Sequence, residues 1–111
     1  MSILADVNSV LNELKIPVET GVFTEEAPLE YAVVIPLTEV FDLHADNTPG
    51  VDIQEVRISL YTKGNYTALK NRIVRALYRR DITVTGRQYI GYETETGYHH
   101  YNIDAAHFYE V

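Results

Sequence analysis

Apolar residues at Ile3, Val7, Val10, Leu11 and Leu14 recur at helical spacing, with Asp6, Ser9, Asn12 and Glu13 between them. The spacing predicts an amphipathic first helix, capped by Ser2 and stopped ahead of Pro17, because proline disfavours helical geometry in the residue before it. PVETGVFTEEAPLE holds two prolines and a glycine and reads as a short extended piece near 18–23 followed by a loop. From Tyr31 to Leu43 β-branched and aromatic residues predict a strand, in which Pro36 marks a bulge or an edge position. HADNTPGVD, 44–52, clusters turn formers and offers no large apolar residue before Val51, which predicts a mobile hairpin tip.

Alternation resumes from Ile53 to Tyr61, with Val56, Ile58 and Leu60 on one face and Arg57, Ser59 and Tyr61 on the other. It slips between Ile53 and Val56, which predicts a bulge near Gln54 and Glu55. A second helix is expected over about 65–80, with Tyr66, Leu69, Ile73, Ala76 and Leu77 as its buried stripe. Gly64 would permit the tight turn into it through a positive φ, and Asn65 would cap it. Two extended stretches, Ile82–Tyr92 and Tyr98–Tyr109, are joined by a turn at Thr94-Glu95-Thr96-Gly97. The order α-β-β-α-β-β, with one extra short strand admitted near 18–23, predicts an α+β fold. It would have a mostly antiparallel sheet and two helices packed on one face.

A length of 111 residues suits one domain spanning 1–111. No apolar run approaches the roughly 18 residues of a membrane span. MSILADVNSV has no basic flank and carries Asp6, so no secretory signal is expected and an intracellular origin is. The absence of cysteine removes disulfides, thiolate metal sites and cysteine nucleophiles. A net charge of −7 argues against general nucleic-acid binding, which draws its affinity from Lys and Arg on phosphates. That charge is segregated: residues 1–62 carry eleven acids against Lys15 and Arg57, whereas residues 65–80 carry five bases and no acid.

Motifs that would carry chemistry are wanting. The Lys63-Gly64 corner lacks the GxxxxGK[ST] and three-glycine patterns that cradle phosphates, so it reads as a strand-to-helix turn. His99 and His100 point to opposite faces of a strand, which leaves His100 with Asn102 and Asp104, and His99 with His107. His44 stands apart in the 44–52 loop, and no metal or cofactor is expected. Glu25-Glu26 and Glu93/Glu95 lie in loop or turn context and read as solvated acidic surface. Nine tyrosines, most of them in the second half, suit core and interface roles, since Arg87 is the only base after residue 81 and base stacking needs interleaved cations.

The basic helix carries a sharper reading. Arg72, Arg75 and Arg79 fall within about 60° of one another beside the buried stripe. They are expected either to face solvent or to meet the acidic half of a neighbouring copy, since complementary patches in head-to-tail contact close rings. The loop residues His44, Asp46, Asn47, Thr48, Pro49 and Gly50 form a docking element that would order on binding.

The segment VRISLYTKGNYTALKNRIVRAL, with Ile58, Leu60, Tyr61, Thr62, Lys63, Asn65 and Tyr66, resembles the tail-completion or tail-terminator proteins of long-tailed bacteriophages and prophages. So does GYETETGYHHYNIDAAHFYEV, with Glu95, Thr96, Gly97, Tyr98 and His99. The likeness runs from about residue 30 to the end, with the first helix matching more loosely and the ending AAHFYEV departing from a more basic, aromatic one. The resemblance implies a non-enzymatic virion protein, made in the bacterial host cytoplasm, that forms a ring, commonly hexameric, on the head-proximal end of the tail tube. Its partners would be the tube protein and the head-to-tail connector. DNA would pass through without specific binding, helped by an acidic lumen. The alternatives are a connector or adaptor protein of the same assembly and, from another class, a small α+β enzyme or ligand-binding domain.

Overall fold

The computed structural model describes residues 2–19, 28–42 and 50–111. Helix α1 spans Ile3–Glu13 and α2 spans Tyr66–Arg79; the strands are β1 Val18–Glu19, β2 Glu30–Asp42, β3 Val51–Thr62, β4 Thr83–Glu93 and β5 Tyr98–Glu110. They form one sheet in the order β1-β2-β3-β5-β4, antiparallel except where β1 runs parallel to β2. The fold is α+β with a mostly antiparallel sheet, as the element order predicts. The short extended piece is a true strand at Val18–Glu19; the remainder of 18–23 lies outside the described residues.

Both helices begin and end as local chemistry dictates. The Ser2 hydroxyl accepts from the Ala5 N–H at 3.2 Å, and the Asn65 Oδ1 accepts from the Ala68 N–H at 3.1 Å. At the far ends, Lys15 and Asp81 each adopt a φ of 59°. The next residues, Ile16 and Ile82, donate back to Leu11 and Leu77, each at 3.0 Å. These are Schellman closures built without glycine. Each brings an isoleucine into the core, where Ile16 and Ile82 are both buried.

One core lies between the helices and the sheet. Val7, Val10 and Leu11 from α1 and Leu69, Ile73 and Leu77 from α2 pack against Val56, Ile58, Leu60, Ile103 and Ala105. Among the described residues, the opposite face of the sheet carries no helix. Strands of 12 and 13 residues reach about 40 Å, whereas helices of 11 and 14 residues cover about 16 and 21 Å. Consequently the β2–β3–β5 end built from residues 39–42, 51–54 and 107–110 outruns β4, which begins opposite Ala106. The molecule is elongated, 54 × 27 × 24 Å.

Three expectations are corrected. The bulge lies in β2, at Leu37 between Pro36 and Thr38, and not at Gln54–Glu55. β3 continues in register with β5 through that point, and Gln54 keeps the inward position because its amide is hydrogen-bonded there. Gly64 has no positive φ; the turn is held by the Thr62 hydroxyl, which accepts from the Gly64 N–H at 3.1 Å. Val51 and Asp52 belong to β3, and the hairpin is closed by the Gly50 N–H donating to the Asp42 carbonyl at 3.1 Å. The turn at Gly97, with a φ of 82°, is where glycine is required.

Candidate interaction surfaces

Arg72, Arg75 and Arg79, expected either to face solvent or to meet a neighbouring copy, are separated by the fold. Arg72 extends to the end of α1, where its Nη2 donates to the Leu14 carbonyl at 3.1 Å. Arg80 works in the same way: its guanidinium donates to Ser9 Oγ at 3.2 Å and pairs with Glu13. These two tie the helices together. Arg75 and Arg79 are exposed, with no ion pair among the described residues. Tyr78, 62% exposed, lies between them on the same outward face.

The helix-free face is ordered in rows by strand register. Nearest the β4–β5 turn, Tyr31, Tyr61 and His100 form a column, with ring centroids 4.8 and 4.4 Å apart, and Tyr98 meets Tyr31 and Tyr61 edge-on. Burial pushes the Tyr31 phenol up to about 12, aided by the neighbouring Tyr61 and Tyr98; it also raises Tyr61 and lowers His100. The middle rows are polar and self-satisfied. Ser59 donates to Asn102 at 3.0 Å, Arg57 forks onto Asp104 at 2.9 and 3.1 Å, and Thr85 donates to Glu55 at 2.8 Å.

At the projecting end Val40, Ile53 and Phe108 stand in one row, with Asp42, Val51 and Glu110 in the next. Val40 is 55% and Phe108 58% exposed. A hollow of about 250 Å³ adjoins them, lined by Ile53, Asp81, Thr83, Ala106, His107 and Phe108. Sequence periodicity misses this patch, because strand alternation reports two faces without saying which one the helices leave bare.

A larger hollow, about 550 Å³, lies at the Lys63-Gly64 corner among Pro17, Pro28, Leu29 and Asn65. Three of its polar side chains are already committed: Asn65 caps α2, the Thr62 hydroxyl holds Gly64, and the Lys63 ammonium sits 4.9 Å over the Tyr98 ring; Glu30 completes the lining. No metal-ligating cluster is present among the described residues. His99 and His100 lie on opposite faces: His99 meets Tyr66, Tyr89 and Tyr92, and His100 meets Tyr61. Of the docking loop, His44, Asp46, Asn47, Thr48 and Pro49 lie outside the described residues, as do Glu25 and Glu26; Gly50 is bonded to Asp42 and Val111.

The fold and its surfaces define a two-layer α+β domain with a bare sheet face and a basic, aromatic helix face. No helix among the described residues is long and apolar enough to cross a membrane. No protein-family model matches this sequence, and no curated protein matches it either.

Proposed function

We propose that this chain is a structural protein of a phage virion that caps the head-proximal end of the tail tube as a ring. There it ends tube polymerisation and helps join tail to head. The observation that carries the proposal is the uncovered end of the sheet: Val40 and Phe108, in one row on the helix-free face with Ile53 between them, are each more than half exposed. Exposed large apolar side chains gathered in one place suit burial in an assembly. The resemblance gains weight from packing. The phrases around Tyr61–Tyr66 and Gly97–His99 are some 30 residues apart, yet they pack at the same end of the sheet, where Tyr61 contacts Tyr98 on the helix-free face and Tyr66 contacts His99 on the opposite face.

In this role the subunit acts by fit and charge rather than by bond chemistry. A chain of net charge −7 presents a repulsive wall to passing DNA, and its bases are concentrated on one helix where they can meet acids of a neighbour. Light scattering over a range of concentrations, followed by electron microscopy with purified tail tubes, tests the proposal. Rings, or density at one end of the tubes, are expected; a monomer at every concentration that leaves tubes bare overturns it.

A further inference from the structure

We infer that the helix-free patch around Val40, Ile53 and Phe108 receives the outward face of α2 from a second copy of this chain. The inference rests on the ring-forming reading above and names the two faces that meet. Three observations select the occupant. First, the patch is apolar at its centre and bordered by the carboxylates of Asp42 and Glu110 in the adjoining row. The outward face of α2 is its complement, an exposed tyrosine flanked by the exposed Arg75 and Arg79. Tyrosine and arginine are the side chains that most often anchor protein contacts.

Second, the hollow beside Phe108, about 250 Å³, gives an aromatic ring a place to enter. Third, the core and the sheet separate the two faces, because α2 buries Leu69, Ile73 and Leu77 against the covered side. No copy can therefore satisfy its own patch. A contact between two different faces is heterologous, so it propagates head to tail and closes only as a ring. Arg72 takes no part, since it is held by Leu14 of its own chain.

The test uses charge reversal on each face of the full chain. Arg75→Glu with Arg79→Glu in one variant, and Glu110→Arg in another, are each expected to weaken self-association at least tenfold by light scattering, with circular dichroism and thermal unfolding of the subunit unchanged. Mixing the two variants in equal amounts restores assembly in even-numbered species, because every contact then joins two native faces or two reversed ones. Phe108→Ser weakens association without rescue by mixing with either. If the unaltered chain forms rings and the reversals leave them intact, this pairing of faces is wrong while the ring reading stands. Intact rings that lose only their grip on tail tubes assign the patch to the tube protein and overturn the inference. A chain that never assembles overturns both.

Discussion

Gln54 occupies an inward position on β3 beside Val56, Ile58 and Leu60, and it is tolerated there because both ends of its amide are used. Its Oε1 accepts from the Ile3 N–H at 2.9 Å, and its Nε2 donates to Asp52 at 2.7 Å. The first turn of α1 is thereby fastened to the sheet through one of the N–H groups a helix cannot satisfy internally. Gln54→Leu should cost about 1–3 kcal/mol in a denaturant titration, because a buried N–H loses its acceptor. His100 makes a second case: its Nε2 is buried in the Tyr61 stack with no hydrogen-bond partner among the described residues, and burial lowers its pKa below the usual value, against weaker opposing effects of Asn102 and Glu93. The unfolded chain therefore binds a proton at a higher pH than the folded one does. The contribution of His100 to stability is fully present above about pH 6.5 and is lost as pH falls through the lowered value of the folded state. His100→Asn should flatten that slope in thermal melts recorded from pH 7.5 to about 5.

Helices and strands differ in how openly their chemistry is written. The apolar stripes of both helices, the Ser2 and Asn65 caps and the Gly97 turn are local features, and local sequence reveals them. The apparent slip at Gln54–Glu55 misleads, because a buried glutamine looks like a break in alternation until its partner on α1 is seen. The helix ends mislead in a milder way: Lys15 and Asp81 fill left-handed positions that favour glycine, and Pro17 alone suggests the stop of α1. Strand length has its own consequence. Residues 39–42 and 107–110 lie beyond β4 and carry several exposed side chains, whereas Ile58 and Leu60 are buried in the core beneath the helices. Amide hydrogen exchange should be faster in the first two segments than in 58–60 by several orders of magnitude, since protection follows burial and local packing. Uniform protection along β3 and its neighbours would contradict a core confined to the helix-covered part of the sheet.

At the scale of the whole molecule, charge and surface decide behaviour more than the core does. Eleven acids in residues 1–62 and five bases in residues 65–80 describe a chain with two electrical ends, and folding puts the free bases, Arg75 and Arg79, on the outward face of α2. Assembly through such a face should weaken as salt rises from about 50 mM to 500 mM, because exposed charges are screened over a shortening distance. Sedimentation at the two salt concentrations checks this, and an assembly that tightens with salt would point to a purely apolar contact. By itself the sequence determined the element order, the caps, the helix stripes and the segregation of charge, since each depends on residues close together along the chain. Only the tertiary structure decided which arginines are free, which face of the sheet is bare and which row of side chains ends in Phe108. Those depend on strand register and on how far two short helices reach across long strands, and neither quantity is encoded in any single stretch of residues.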